Sequence, residues 1–365
     1  MKNACETIDA LMRKQPAERM GLFDSPWEDT LEKWADRENY PRQESGKPMA
    51  AVDYFGFDMV SCGGWFDTMP LRGVHEVLRE TQEWTVYRNG AGAVFKTWKH
   101  KSGTPEHIEF SMASREIWEK DYRPHLLDID RGRIDVAGAR KELQRRKKEG
   151  LWTFYGHLFI WEQLRCSLGD ICMYESLALD PAWIHDFNRV YTDFFKTYYT
   201  MLIEEAGRPD GIWLYDDLGY NKGLICSPTM LADLFCPYYH ELVEFFHGYD
   251  LPVVLHSCGG ITEALPLIVE CGFDGLNPME VKAGCDVVRF AQEYGDKLTF
   301  IGGLDARVLE SGDRDLIRRE IIRILDGMRS LGARYIFGSD HSLSTIVRLA
   351  DFRYAIEVFK EHGAY

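Results

Sequence analysis

The second half of the chain alternates short apolar segments with longer amphipathic ones. The segments between the apolar runs repeat apolar residues at helical spacing, most clearly in DRDLIRREIIRILDGMRSLG (313–332). Alternation of this kind predicts a parallel sheet whose strands are joined by crossover helices. Five apolar segments have the length and composition of buried strands: GIWLY (211–215), PVVLH (252–256), FDGLN (273–277), LTFIGG (298–303) and ARYIFGS (333–339).

The first half is less regular but adds two buried strands, FDMVS (57–61) and LWTFYGHLF (151–159), which makes seven. The segment WTVYRNGAGAVFKTW (84–98) predicts a β-hairpin, because Asn-Gly is a strong turn signal between alternating segments. Asp351 has the position of an N-cap for the last helix. Together these elements predict a distorted (β/α)8 TIM barrel with one irregular strand and an N-terminal β-hairpin insertion.

Two further observations concern architecture. A doubly wound dinucleotide fold is disfavoured, because no GxGxxG follows an early strand. The chain also has no internal repeat and no linker rich in Pro, Gly or Ser, so residues 1–365 are expected to form a single domain.

Composition narrows the class of partner and the compartment. The chain has 43 Lys and Arg against 58 Asp and Glu, a net charge of −15, which argues against nucleic acid or an anionic membrane as the main partner. Nine cysteines at irregular spacing, with no CxxC, indicate a reducing environment and not a disulfide framework. The first residues lack a signal-peptide pattern, and no apolar run approaches the ~18 residues needed to span a bilayer. We therefore expect a soluble cytoplasmic protein.

In a TIM barrel the active site lies at the carboxyl ends of the strands. Polar or metal-binding residues follow nearly every predicted strand in this chain. They are Cys62, His157, Asp216-Asp217, His256-Ser257-Cys258-Gly259-Gly260, Asn277-Pro278-Met279-Glu280, Gly302-Gly303-Leu304-Asp305 and Ser339-Asp340-His341.

His256 and Cys258 form the most informative pair. Two residues apart on an extended strand, their side chains point to the same face. An imidazole and a thiolate so placed can bind one zinc ion, for which N and S ligands are usual. The alternative is a buried histidine beside an inert buried cysteine, and the residues alone leave both interpretations open.

Five acidic or basic residues at other strand ends are candidates for the same site. Glu280 could complete a metal shell or act as a base. Asp217 could bind a substrate hydroxyl or orient a ligand, although loop carboxylates and helix caps often have no such role. Adjacent residues on a strand face opposite ways, so we expect only one of Asp216 and Asp217 to enter the site, and only one of Asp340 and His341.

A group of aromatic residues has two possible roles. They could line a pocket for an aromatic substrate, or they could be ordinary core residues, which is the commoner use. The group comprises Trp152, Tyr155, Trp161, Trp213, Tyr215 and Tyr220.

Beyond residue 210 the chain resembles the uroporphyrinogen decarboxylase superfamily, and more weakly before it. The resemblance implies a distorted (β/α)8 barrel. The segments that show the resemblance are YDDLGYNKGLICSP (215–228), VLHSCGG (254–260), GLNPMEVKAGCDV (275–287), LTFIGGLDARVL (298–309) and FGSDHSLS (337–344).

The superfamily contains two chemistries. The decarboxylases use no metal and bind a porphyrinogen with an arginine-rich N-terminal loop. Arg42-Gln43-Glu44-Ser45-Gly46 matches the sequence of that loop only in part. The other branch contains zinc methyltransferases that work with corrinoid proteins and carry an H-x-C motif. The resemblance therefore implies zinc on His256 and Cys258. A late cysteine ligand of that branch is replaced here by Ser339-Asp340-His341, so the third ligand stays open among Glu280, Asp340 and His341.

The leading hypothesis is a zinc-dependent methyltransferase. It would move a methyl group between a small substrate (a methyl ether, methanol or a thiol) and a corrinoid carried by a partner protein, because the chain has no D-x-H-x-x-G cobalamin motif. Zinc would be bound by His256, Cys258 and Glu280, while Asp217, Asp340 and His341 would orient substrate or relay a proton. The alternatives are uroporphyrinogen decarboxylase and a non-catalytic corrinoid- or tetrapyrrole-binding protein. A homodimer is compatible with the sequence.

Overall fold

A computed structural model describes residues 3–365. Most of the strands belong to one parallel sheet, and the others form two smaller antiparallel sheets. The strands are β1 (Gly21–Leu22), β2 (Met59–Ser61), β3 (His75–Glu80), β4 (Trp84–Asn89), β5 (Ala93–Trp98), β6 (Glu106–Phe110), β7 (Trp152–Leu158), β8 (Gly211–Tyr215), β9 (Gly219–Tyr220), β10 (Gly223–Leu224), β11 (Val253–Ser257), β12 (Gly275–Pro278), β13 (Thr299–Ile301) and β14 (Tyr335–Phe337).

Helices follow most of the strands of the parallel sheet. Within residues 3–365, no helix combines the length and the apolar composition that a membrane crossing requires. The α-helices are α1 (Ala4–Met12), α2 (Glu28–Arg37), α3 (Ala51–Phe55), α4 (Arg115–Ile117), α5 (Pro124–Leu127), α6 (Val136–Lys148), α7 (Ile160–Leu179), α8 (Pro181–Met201), α9 (Pro228–Leu234), α10 (Cys236–Gly248), α11 (Leu265–Glu270), α12 (Val287–Tyr294), α13 (Ala306–Ser311), α14 (Arg314–Leu331) and α15 (Leu349–His362). Short 3-10 helices span Arg131–Arg133, Thr262–Ala264 and Val281–Ala283, and π-helical turns span Trp118–Tyr122 and Leu202–Ala206.

Eight parallel strands form a nearly closed barrel in the order β1-β14-β13-β12-β11-β8-β7-β2. The predicted (β/α)8 fold is confirmed, and each of the seven predicted strands is present. The eighth is β1, which has two residues, Gly21 and Leu22. A strand this short shows no alternation or apolar run, which is why the sequence pattern missed it.

The barrel closes between β1 and β2 through one carboxylate. Asp58 donates its backbone N–H to the Leu22 carbonyl (2.8 Å), and its Oδ2 accepts from the Leu22 N–H (2.8 Å). Arg19 donates to both carboxylate oxygens of Asp58, each at 2.7 Å. Asp58 is buried, so its charge needs this bidentate partner. A side chain thus bridges the place where two very short strands meet.

The insertion after β2 is larger than the predicted hairpin. It is a four-stranded antiparallel sheet in the order β3-β4-β5-β6, and the predicted hairpin is its central pair, β4 and β5. The side chain of Asn89 accepts from the N–H groups of Ala91 and Ala93, which stabilises the tight turn. Helix α7 packs against β5 and β6, so the inserted sheet is attached to the barrel.

One apolar core fills the barrel interior and a second lies between the strands and the outer helices. Helix α1 contributes Ile8, Leu11 and Met12 to the inner core and packs against β1, β2 and β7. The Thr299 hydroxyl donates to the Leu11 carbonyl at 2.9 Å. The α1 end of the barrel is therefore filled by side chains, and space for a ligand is left at the other end.

One predicted detail is wrong. Asp351 is not an N-cap: α15 begins at Leu349 after Arg348, and Asp351 lies in its first turn, where it accepts from Arg348 Nε at 2.5 Å. An acidic residue in the first turn also suits the helix dipole, so its presence does not mark the boundary.

The substitution Asp58→Asn tests the contact between β1 and β2. It removes the charge that binds Arg19 and should lower the free energy of unfolding by about 1–3 kcal/mol. Urea unfolding measures the change. The matched control is Asp36→Asn, at an exposed carboxylate that binds Arg42, and it should have little effect. Equal stability of the two variants would contradict the role given to Asp58.

Candidate metal centre

His256 and Cys258 come together at the carboxyl end of β11. His256 lies opposite Tyr215 of β8 and Asn277 of β12 in the register of the sheet. Its Nε2 is 3.5 Å from Cys258 Sγ. The two side chains therefore point to the same side, as the strand spacing predicts.

Asp217 supplies a third donor atom. It follows β8, and its Oδ1 lies 3.9 Å from His256 Nε2 while accepting the backbone N–H of Cys258 at 3.0 Å. One ligand atom from each of the three residues lies within 4.8 Å of the other two. In the described part of the chain, the structure thus gathers an imidazole nitrogen, a thiol sulfur and a carboxylate oxygen around one point.

Asn277 orients the imidazole. Its Nδ2 donates to the Ile301 carbonyl at 2.9 Å, so its Oδ1 must accept from His256 Nδ1, 2.5 Å away. The proton of the imidazole is then on Nδ1, and the lone pair of Nε2 faces Cys258 and Asp217. Burial lowers the pKa of His256, which favours the neutral ring that metals bind.

The thiol of Cys258 is protonated in the absence of a cation. Burial, followed by the nearby charges of Asp217 and Glu280, raises the pKa of Cys258 well above its usual value. A divalent cation would have to displace this proton in order to bind the sulfur. Nitrogen, sulfur and carboxylate oxygen are the ligand atoms of zinc in proteins, so the three residues fit that ion.

The glycine after Cys258 is required by the local backbone. Gly259 has φ +83°, and a Cβ there would lie 2.2 Å from the carbonyl carbon of Gly219 in β9. Only glycine permits both the left-handed conformation and this close approach. The contact positions the Cys258 turn against the β9–β10 hairpin.

Glu280 and Asp340 lie outside the three-residue group and bind backbone N–H groups. Glu280 accepts from Gly259 N at 2.7 Å and is paired with Lys282 at 2.9 Å. Asp340 accepts from Val281 N and Ala306 N, both at 2.8 Å. Neither side chain is part of the cavity wall described below. Their contacts join the loops that follow β11, β12, β13 and β14.

His341 enters the cavity beside the three-residue group. Its ring centroid lies 5.7 Å from that of Trp27. Nδ1 is 3.2 Å from the Ser342 carbonyl, so Nδ1 carries the proton and Nε2 is left as an acceptor. Of the six predicted site residues, Asp217, His256, Cys258 and His341 line one cavity, while Glu280 and Asp340 do not.

Asp216 points away from the cavity, unlike its neighbour Asp217. It is fully buried and accepts from Glu162 N at 2.8 Å and Trp161 N at 3.2 Å, which caps the start of α7. It also accepts from the Tyr239 hydroxyl at 2.7 Å. One member of the Asp pair therefore enters the site, and the other attaches helix α7 to the same strand end.

The cavity has a volume of about 1210 Å³ and lies between the open end of the barrel and the inserted sheet. The six predicted aromatic residues fall into two sets. Trp152, Tyr155 and Trp161 are fully buried in the core. Trp213, Tyr215 and Tyr220 line the cavity.

Several cavity residues were missed by the sequence analysis. Asp24 and Trp27 follow β1, which the sequence pattern did not reveal. Burial raises the pKa of Asp24 to about 6, and its Oδ1 accepts from the Ser339 hydroxyl at 2.7 Å. Glu162 and Arg165 lie in the first turns of α7 and not directly at a strand end, so the strand pattern does not indicate them.

Two strand-end candidates are structural. The thiol of Cys62 is fully buried and lies 3.2 Å from the Phe154 carbonyl, and burial raises its pKa to about 12. Both ring nitrogens of His157 contact carbonyl oxygens, and burial lowers its pKa to about 4. Neither residue lines the cavity.

Comparison with protein families identifies the chain. The family model for uroporphyrinogen decarboxylase (URO-D) matches residues 173–362, which include the metal-centre residues and His341. The chain belongs to the uroporphyrinogen decarboxylase family. A comparison with curated protein sequences gives no significant match for this family member.

One solved structure supports the fold of this uroporphyrinogen decarboxylase family member. A methyltransferase from Methanosarcina mazei superposes with a TM-score of 0.67 at 14% identity, over 99% of each chain, and so shares the fold. A putative vitamin-B12 independent methionine synthase from Listeria monocytogenes gives a TM-score of 0.34 at 14% identity, over 63% of this chain and 90% of that one. An AP endonuclease from Brucella melitensis gives 0.36 at 10% identity, over 64% and 86%. The last two are too distant to inform the site.

Asn277→Ala tests the orientation of His256. Loss of the hydrogen bond to Nδ1 should weaken zinc binding about 10- to 100-fold, because the imidazole loses its fixed tautomer and direction. Competition with a chromophoric chelator measures the affinity, and thermal unfolding of metal-free protein shows whether the fold is intact. Gln292→Ala, at an exposed position of α12, is the control. Unchanged zinc affinity in Asn277→Ala would refute this role.

Proposed function

We propose that the chain is a zinc-dependent methyltransferase that moves a methyl group between a small substrate and a corrinoid carried by a partner protein. The observation that carries the proposal is the convergence of Asp217, His256 and Cys258 on one point in the wall of a large cavity. The fold shared with a methyltransferase agrees with this reaction class.

The residues present fit a zinc ion, which His256, Cys258 and Asp217 would hold. Bound zinc supplies Lewis acidity, which polarises the oxygen of a methyl ether or an alcohol or keeps a thiol as thiolate. Asn277 orients the imidazole, and the Gly259 turn positions the thiol. Glu280 fixes the backbone next to Cys258 through its bond to Gly259 N, so it acts on the site even from outside the three-residue group.

His341 is suited to accepting a proton from a bound alcohol or thiol. An ether has no such proton, so the aryloxide left after loss of its methyl group would be stabilised by zinc and not by His341. Its Nδ1 is occupied by the Ser342 carbonyl, and the ring lies in the cavity wall with Nε2 as the acceptor. A substrate oxygen or thiol bound next to Cys258 and Asp217 would share the cavity with this nitrogen. Trp27 packs against the ring and restricts its rotation.

The cavity favours an aromatic methyl ether over methanol. Its volume of about 1210 Å³ is at or above the ~1,000 Å³ upper range of small-molecule sites. Trp213, Tyr215 and Tyr220 provide ring surface in the cavity wall, and the ring centroid of Tyr215 is 5.3 Å from that of His256. Methanol would leave most of this surface without contact, whereas an aryl ring would cover it.

The same cavity disfavours decarboxylation of a porphyrinogen. A substrate with several carboxylates needs several cationic partners, yet Arg165 is the one Arg or Lys among the lining residues found in the described part of the chain. The loop after β1 reads Asp24-Ser25-Pro26-Trp27 and contains no arginine. Arg42, in the segment that partly matches the arginine-rich loop, forms ion pairs with Glu32 and Asp36 and is not in the cavity wall.

Zinc analysis and a methyl-transfer assay test the proposal together. We expect about one zinc per chain and zinc-dependent transfer from an aryl methyl ether to reduced cobalamin, both lost in Cys258→Ser because serine is a poor zinc ligand. Cys172→Ser, a half-buried cysteine outside the cavity, is the matched control. Metal-free protein that releases carbon dioxide from uroporphyrinogen would refute the proposal, as would metal-free, inactive protein that still binds a corrinoid protein.

The pH dependence of zinc binding is a separate test. His256 is neutral near pH 7 because its pKa is lowered, and Cys258 is protonated because its pKa is raised, so zinc binding should release about one proton, from the thiol. The apparent affinity should then rise about tenfold per pH unit between pH 7 and 8. Calorimetry in buffers of different ionisation enthalpy counts the protons. No release near pH 7 would show that the sulfur is not a ligand.

A further inference from the structure

A second polar site lies in the cavity wall, on helix α7. Glu162 and Arg165 both line the cavity and are one helical turn apart, with Arg165 Nη1 3.2 Å from Glu162 Oε1. Glu162 is 9% exposed, so it is a buried carboxylate and not a solvated one. The bond from Glu162 N to Asp216 attaches this turn to the strand end that carries Asp217. The Glu162–Arg165 pair therefore belongs to the same cavity as the metal centre but is built from a different element.

One carboxylate oxygen of Glu162 lacks a strong hydrogen-bond donor. Oε1 accepts from Arg165, whereas the contact of Oε2 is the Cys166 thiol at 3.8 Å, a weak donor. A buried carboxylate normally accepts several hydrogen bonds, because burial without them is costly. Burial raises the pKa of Glu162, as expected for a carboxylate with few donors around it. A ligand that donates a hydrogen bond to Oε2 would satisfy it.

One nitrogen of the Arg165 guanidinium is free to donate a hydrogen bond to a ligand. Its Nε donates to Asp170 at 3.0 Å and its Nη1 donates to Glu162, while Nη2 has no hydrogen-bond partner among residues 3–365. Two carboxylates on the same helix hold the guanidinium in place. A ligand oxygen in the cavity can therefore accept from a donor that is already oriented.

The charges at this site favour a neutral ligand group. The single charge of Arg165 faces two carboxylates, Glu162 and Asp170, so a ligand carboxylate would meet a net negative site. A ligand ammonium would in turn lie beside the guanidinium. His107, also in the cavity wall, adds no cation at neutral pH, because burial lowers its pKa. A hydroxyl fits both partners, since it donates to Glu162 and accepts from Arg165.

The rest of this end of the cavity accepts a ring. Tyr87 and Phe95 from the inserted sheet and Tyr174 from α7 line it. Aromatic side chains stack on aromatic ligands and exclude water from the hydrogen bonds beside them. The combination is an aromatic wall with one donor–acceptor pair.

We propose that the Glu162–Arg165 pair binds the hydroxyl group of a phenolic ligand and so selects hydroxylated aromatic substrates. The inference rests on the proposed function only in calling the ligand a substrate; the binding itself requires neither zinc nor a corrinoid. The pair determines specificity and takes no part in the transfer of the methyl group.

Calorimetric titration of the full chain, with zinc removed, tests the proposal. The probes are 3-methoxyphenol and 1,3-dimethoxybenzene, which differ in one O–H. Wild-type protein should bind the phenol at least about tenfold more tightly, since a hydrogen bond to a charged group is gained. Glu162→Gln should abolish this preference by weakening the phenol about tenfold, with the dimethoxy compound unchanged. Glu175→Gln, an exposed position on the same helix, is the matched control.

The outcomes separate the two proposals. Retained binding of 1,3-dimethoxybenzene by Glu162→Gln shows that the variant is folded, and loss of the phenol preference then supports the inference. Equal binding of both probes by wild type, no binding of either, or a preference unchanged in Glu162→Gln would overturn it. Tighter binding of benzoate or benzylammonium than of the phenol would overturn it as well. Zinc content and methyl transfer are measured independently, so either proposal can fail while the other stands.

Discussion

The hydrogen bond between His256 and Asn277 is the interaction on which the site depends. It joins neighbouring strands β11 and β12 at paired positions and gives the imidazole a defined tautomer. Without it, His256 Nε2 would not be held in the direction of Cys258 and Asp217, and the three groups would bind a cation more weakly. The bond is possible because Asn277 is itself tied to Ile301 of β13, so three adjacent strands determine the direction of one lone pair.

Carboxylates around the cavity accept hydrogen bonds that hold the surrounding loops and helix starts in place. Asp216, Glu280 and Asp340 each accept backbone N–H groups of loops or helix starts, and Asp24 accepts from Ser339. Parallel strands end in loops whose N–H groups have no partners in the sheet, so a barrel of this kind needs acceptors at its carboxyl edge. Asp217, which accepts one such N–H and also reaches the metal centre, combines both uses.

The sequence predicted the barrel and part of the site for different reasons. Buried strands of three to seven residues lie within apolar runs that are visible in the sequence, so seven of eight were found. Gly21–Leu22 is held by Asp58 and β14 and has no such pattern of its own. His256 and Cys258 were found because strand geometry places them together. Glu280 and Asp340 also stand at strand ends, but whether a carboxylate turns to the cavity or to a backbone N–H depends on loop geometry that spacing does not encode. Glu162 was missed because its position arises from a helix cap made by a residue 54 positions away.

Helix α1 has a consequence for the order of events in the cavity. Because it fills one end of the barrel, molecules reach the metal centre from the side of the inserted sheet. In the proposed function, the small substrate and the corrinoid of the partner protein would both reach the centre from this side. The small substrate would then have to bind before the partner protein docks, and its product would leave after the partner dissociates. A barrel closed at the α1 end would thereby impose an ordered mechanism on the reaction.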